Sequence, residues 1–133
     1  AQPAPLPGLK VLSEPDFAAS VRETIHSLTR PSDLRDNPLL YSHLVAAHVD
    51  PYADAGERSA QLLQRVAAAI ETLQSSPRDL KLFRALHHTY VKPAATQEAA
   101  AELLDLPFST YRRHLKDGIE RLTLLLWQEE TGQ

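Results

Sequence analysis

Apolar residues in this chain recur every three to four positions, and the stretches that keep this period predict helices rather than strands. Phe17, Val21, Ile25 and Leu28 make the first stripe. It follows Ser13-Glu14-Pro15-Asp16, where serine can cap, proline suits a first turn and acids meet the positive end of the helix dipole. Pro31 should end this helix near Arg30. Asn37-Pro38 opens a second helix, expected to reach about Val49 with Leu39, Leu40, Leu44, Val45 and Val49 buried. Beyond the break at Asp50-Pro51-Tyr52, an alanine-rich helix starts at Asp54 or Gly56 and turns Leu62, Leu63, Val66, Ala69, Ile70 and Leu73 toward a core. Ser76 and Asp79 have the spacing of a capping box, with Asp for Glu. The helix they introduce has Leu80, Phe83, Leu86 and Tyr90 on its apolar side, and Lys92-Pro93 stops it.

The last third has a sharper pattern. Thr96 is a fitting N-cap for a short helix with Ala99, Ala100, Leu103 and Leu104 on one face. Asp105-Leu106-Pro107 interrupts it, since the residue before a proline leaves the helical region and proline suits a new first turn. Phe108, Tyr111, Leu115, Ile119, Leu122 and Leu126 then continue a second helix bearing paired arginines. Two helices set at an angle by a tight turn, the second one basic, are the plan of a helix-turn-helix reader of DNA. No segment alternates with period two and no Asn-Gly or Asp-Gly hairpin signal occurs. The predicted fold is all-α, a compact bundle of about six helices with a C-terminal helix-turn-helix. Residues 1–12 read as a proline-rich linker or arm, 13–75 as an N-terminal helical part, and 76–133 as the helix-turn-helix part, folding as one unit with 13–75.

Composition narrows the function. The 133 residues contain no cysteine, which excludes disulfides, thiol chemistry and thiolate zinc sites. No apolar run approaches the roughly 20 residues that span a bilayer, and residues 1–8 lack the charged and apolar regions of a signal peptide. A cytoplasmic protein is expected. The chain has no methionine, so a processed protein or, ahead of it, a fragment of a larger one is expected too. The net charge is −3, but residues 1–75 hold 6 Lys/Arg against 9 Asp/Glu, while 76–121 hold 8 against 6. Positive charge therefore sits with the helix-turn-helix.

Residues 78–122 resemble region 4 of bacterial sigma factors and the related helix-turn-helix of two-component and quorum-sensing regulators. The resemblance rests on Thr96-x-Glu98-x-Ala100, on Leu103 and Leu106 around the turn, on Ser109-Thr110-Tyr111-Arg112, and on Leu115 with Gly118-Ile119-x-x-Leu122. Residues 77–91 match the support helix that precedes the motif in that family. A wider string resembles terminal regions of large bacterial multidomain regulators: Asn37-Pro38-Leu39-Leu40, His87-x-Thr89-Tyr90, residues 106–115 and Leu126-Trp127. The resemblance implies the DNA-binding module of a bacterial transcription regulator, part of a larger protein. Nothing resembles sigma region 2, and Phe108 stands where many family members expose a polar base reader. A free-standing sigma factor is therefore not expected.

On a helical wheel of about 100° per residue referred to Phe108, the residues Tyr111, Leu115, Ile119 and Leu122 face the bundle. Thr110, Arg113 and Asp117 lie opposite, Ser109 and Lys116 beside them, and Arg112 on the flank. The wheel points Arg113 into a groove, where its fork can bind guanine bidentately; the resemblance instead implies Arg112 as base reader. The candidate contacts to double-stranded DNA are therefore Ser109, Thr110, Arg112, Arg113 and Lys116, with Arg84 and Lys92 on the preceding helix as backbone clamps. Leu122-x-Leu124-Leu125-Leu126-Trp127 is more apolar than one helical stripe requires. The N-terminal helices are expected to sandwich it; the alternative is a homodimer patch, which the resemblance keeps open. The alternative to DNA binding is a protein-interaction bundle docking to RNA polymerase or a sister domain. No cofactor or metal is expected: His43 and His48 lack the i, i+4 spacing of a helical zinc pair. An enzyme is not expected, since there is no nucleophile elbow and no glycine-rich phosphate loop.

Overall fold

A computed structural model describes residues 10–132, and among these the fold is all-helical, with no strand. Six α-helices follow in order: α1 Glu14–His26, α2 His43–Ala46, α3 Ala55–Thr72, α4 Leu80–Leu86, α5 Gln97–Leu103 and α6 Phe108–Thr131. Short 3₁₀ segments occupy Pro31–Leu34, Pro38–Tyr41 and Leu73–Ser75, and a π turn, His87–Val91, prolongs α4. Of the expected arm, residues 1–9 lie outside the described residues. Lys10 donates its N–H to the Tyr41 carbonyl at 2.8 Å, Val11 is exposed and Leu12 packs on the core.

Local caps set several starts where the sequence placed them. The Ser13 hydroxyl accepts from Asp16 N–H at 3.3 Å, the Asp54 carboxylate from Glu57 N–H at 2.9 Å, and the Thr96 hydroxyl from Ala99 N–H at 3.0 Å. Two expectations fail. The helix expected over 37–49 breaks at Ser42, which is extended (φ −79°, ψ 167°) and turns its hydroxyl back to the Leu39 carbonyl at 2.7 Å. The Ser76/Asp79 capping box does not form either. Asp79 heads α4 without a side-chain cap bond, and its carboxylate faces Arg121 at 3.6 Å.

One apolar cluster unites the two halves of the chain. Phe17, Val21, Ile25, Leu39, Leu40, Leu44, Leu62, Val66 and Ile70 from the first half join Leu86, Tyr111, Leu115, Leu122 and Leu126 from the second. α6 is the axis, packing on α1, α2, α3, α4 and α5. Its apolar end is accordingly sandwiched: Leu126 is fully buried and the Trp127 ring meets Phe17 edge-on at 5.1 Å, leaving Leu124 as the exposed apolar residue there. Gly118 permits the close approach of α4, because a Cβ on it would lie 3.1 Å from Leu86 Cγ and 3.4 Å from the Leu82 carbonyl oxygen.

Polar groups fasten the halves where apolar contact would not specify position. The Glu130 carboxylate, near the end of α6, accepts from the N–H groups of His43 (3.2 Å) and Leu44 (2.7 Å). It thus caps α2 from the far end of the sequence. Buried Arg58 reaches back along the start of α3 and donates to the carbonyls of Ala53 (2.9 Å), Leu40 (3.1 Å) and Pro51 (3.0 Å), its guanidinium lying 4.6 Å from the centre of the Tyr41 ring. Buried Asn37 donates to the Ser20 carbonyl and the Thr24 hydroxyl and accepts from Leu39 N–H. The Arg58 bonds and the Leu39 N–H bond satisfy backbone that the breaks at 37–53 would otherwise leave unpaired, while the Asn37 amide ties that segment to α1.

Candidate nucleic-acid interface

The candidate surface is the first half of α6 and the turn that launches it. α5 ends in a Schellman arrangement: Leu106 N–H donates to the Ala101 carbonyl and Asp105 N–H to that of Glu102, both at 3.0 Å. Asp105, the residue past the cap, has φ of +57°, a left-handed conformation that Asp and Asn tolerate better than most residues. Pro107, extended, then starts α6. The turn 104–107 is therefore held by backbone geometry, and it fixes the direction in which α6 leaves.

The buried arc of α6 is centred on Tyr111, Leu115, Gly118 and Leu122, roughly 45° around the helix from Phe108. That offset corrects the expected scaffold. Phe108 is 40% exposed and Leu103 63% exposed. α5 buries Ala100 and Ala101 instead, with Leu104 and Leu106 packed behind them. It also moves Thr110, expected on the open side, to a half-buried flank. Ser109, Arg112, Arg113 and Lys116 are exposed as expected.

The cations of α6 divide between its two sides. Arg112 donates to Gln97 Oε1 of α5 at 2.8 Å, and its guanidinium carbon sits 5.9 Å from the centre of the Phe108 ring. With Lys116 it lines a cleft against α1 that also holds Arg22 and His26. Arg113 lies on the α4 side. There it and Lys81 surround His114, whose pKa is lowered first by burial and then by these two cations, Asp117 opposing. Among the described residues Arg112, Arg113 and Lys116 make no ion pair. Arg84 and Lys92 are exposed on α4 and after its π turn, with no hydrogen bond or ion pair linking their side chains to α6.

The π turn buttresses this region. Thr89 donates or accepts a short bond with the Tyr111 hydroxyl, and Tyr90 stands edge-on to His26 with ring centres 5.3 Å apart. Burial, then the neighbouring Tyr111, raises the Tyr90 pKa, with Arg112 opposing. His88 is pushed the other way, by burial and by His87. On the far side of the turn 104–107, a groove of about 510 Å³ is lined by Ala101, Leu106, Pro107 and Phe108 together with the carboxylates Glu98, Glu102 and Asp105. The surface around the start of α6 is thus cationic along the helix and acidic across the turn.

Arg22, His26 and Gln97 were missed from sequence. Arg22 and His26 are one helical turn apart on α1, a visible pair, but only the tertiary fold sets α1 beside α6. No helix among the described residues is long and apolar enough to cross a membrane. Comparison of the chain with protein-family models, with curated proteins and with solved structures gives no match.

Proposed function

We propose that this domain binds double-stranded DNA through the first turns of α6, as the DNA-binding module of a larger bacterial transcription regulator. The observation that carries the reading is the exposed group Ser109, Arg112, Arg113 and Lys116, whose three cations make no ion pair among the described residues, on a helix launched by a backbone-fixed turn. A helix of about 10–12 Å diameter fits the major groove of B-DNA, and α5 would lie across the backbone beside it. In this reading Arg113, farthest from the core, reaches base edges, while Arg112, held by Gln97, works at the groove wall. Ser109 and Lys116 meet phosphates. Selection of bound sequences from a random duplex pool tests the reading, with the double variant Arg112→Ala/Arg113→Ala as control. Steeply salt-dependent binding that the double variant loses supports it, and a double variant that binds like wild type refutes it.

A second reading has its own observation. Phe108 is exposed in the 510 Å³ groove with its three carboxylates, and Leu103 is exposed next in sequence to the groove residue Glu102, a surface that suits a basic, amphipathic segment of a protein partner such as RNA polymerase or a sister domain. Partner capture that survives nuclease and is lost in Leu103→Ser/Phe108→Ser would favour it. A homodimer through α6 has less surface to draw on, since the apolar end of that helix is mostly covered.

A further inference from the structure

The cleft between α1 and the first half of α6 has a volume of about 390 Å³ and gathers cations from two helices that are distant in sequence. Arg22 and His26 come from α1; Arg112 and Lys116 come from α6, one helical turn apart. In a chain of net charge −3, this cleft sets three permanent cations against one carboxylate, Glu120. None of Arg22, Arg112, Lys116 or Glu120 forms an ion pair among the described residues. Three cations facing a single carboxylate keep a net repulsion, and a bound anion relieves it.

Arg112 is also held ready for an anion. Arg112 holds one N–H on Gln97 at 2.8 Å. A guanidinium has five donors, so this bond orients the planar fork and leaves the others free for a bidentate contact. Tyr90, braced against His26, closes one wall. Leu115 and Ile119 form an apolar floor, which lowers the local dielectric and strengthens attraction to the cations.

We infer that this cleft seats a backbone phosphate of the same duplex that α6 reads, so that α1 forms part of the DNA footprint. The inference rests on the DNA-binding reading above and extends it to Arg22 and His26, outside the helix-turn-helix segment. A phosphate seated here flanks the strand beside the recognition helix, where it fixes register without reading sequence.

The test uses the 133-residue chain and a fluorescently labelled random duplex pool, titrated by anisotropy at several salt concentrations. Each phosphate contact contributes about 0.9 to the slope of log affinity against log salt. Arg22→Ala should lower that slope by about one, so that between about 50 and 200 mM salt the wild type loses roughly 3- to 4-fold more affinity than the variant. Arg22→Lys should keep the slope, and Glu120→Gln should tighten binding several-fold at low salt. A structural role for Arg22 would not give this pattern. If Arg22→Ala keeps the wild-type slope while Arg112→Ala/Arg113→Ala abolishes binding, the cleft inference is overturned and the DNA reading stands. If the wild type does not bind the pool at all, the DNA reading itself fails. Should a free mononucleotide bind at Arg22 in that case, the cleft is a small-molecule phosphate site and the backbone assignment is wrong.

Discussion

Removing the Glu130 carboxylate tests whether the two ends of the sequence are fastened as described. Glu130 accepts two backbone N–H groups at the start of α2, at 3.2 and 2.7 Å, the second partly buried. Loss of a local N-cap costs about 0.5–2 kcal/mol, and the partly buried Leu44 N–H left without an acceptor puts this cap in the upper part of that range. Glu130→Ala should therefore destabilise the domain by about 1–2 kcal/mol, and Glu130→Gln, which keeps one carbonyl oxygen, by about half as much. For a chain of this size that is a fall in Tm of about 4–8 °C, or in the urea midpoint of about 0.5–1 M. Urea unfolding followed by far-UV circular dichroism reads it directly. Glu129 provides the contrast, because its pairs with Arg65 (3.5 Å) and His48 (3.9 Å) are partly exposed and surface pairs contribute at most about 1 kcal/mol. If Glu129→Ala costs as much as Glu130→Ala, the long-range cap is not what holds α2, and the argument is wrong.

Three further outcomes follow from the packing and the turn. Asp105→Gly should stabilise slightly, by about 0.5 kcal/mol, because relief of the left-handed strain outweighs the added freedom of the unfolded chain; Asp105→Val should destabilise by about 1–2 kcal/mol, both read from thermal melts. Gly118→Val should cost about 1–3 kcal/mol by forcing α4 away from α6, and an unchanged melting temperature would contradict the close approach. Arg58→Ala should cost about 2–3 kcal/mol, since three carbonyls lose their donor, with Arg58→Lys recovering only part. Finally, the lowered pKa values of His114 and His88 mean that the folded domain binds fewer protons than the unfolded chain below the ordinary histidine value of 6.5. The stability they contribute is present above pH 6.5 and is lost as pH falls through the lowered values. His114→Gln should flatten that acid-side decline in a series of urea midpoints, and a curve of unchanged steepness would show that His114 has no part in it.

What the sequence made legible was whatever acts over a few residues. Ser13, Asp54 and Thr96 cap their helices because a cap reaches only two or three positions ahead. The stripe Phe17, Val21, Ile25 is buried because period alone defines a face. The errors share a cause. Period alone places Phe108 and Leu103 on the apolar faces of their helices, because apolar spacing marks an arc without locating its centre, which depends on the neighbouring helices. The helix expected over 37–49 was lost to Ser42 and to Glu130, whose partner is 86 residues away in sequence. Arg58 reads as one more charged residue in an amphipathic helix until the carbonyls of 40–53 fold over it. At the candidate interface the exposed Ser109, Arg112, Arg113 and Lys116 were legible. Their division into an α1 side and an α4 side was not.

The 24 residues of α6 form one unbroken helix, about 36 Å long, with exposed cations on the open face of its first turns and core residues from Tyr111 to Leu126 along the other face. Under the proposed DNA-binding reading, binding at its start and folding of the bundle are therefore a single equilibrium. Occupancy at 100 times its dissociation constant would stabilise the whole bundle by about 2.7 kcal/mol. Conversely, loosening Trp127 from Phe17 would weaken binding though neither residue touches the ligand. Affinity lost in such a variant would measure the rigidity of the rod, and a melting curve taken with and without duplex separates that loss from a lost contact.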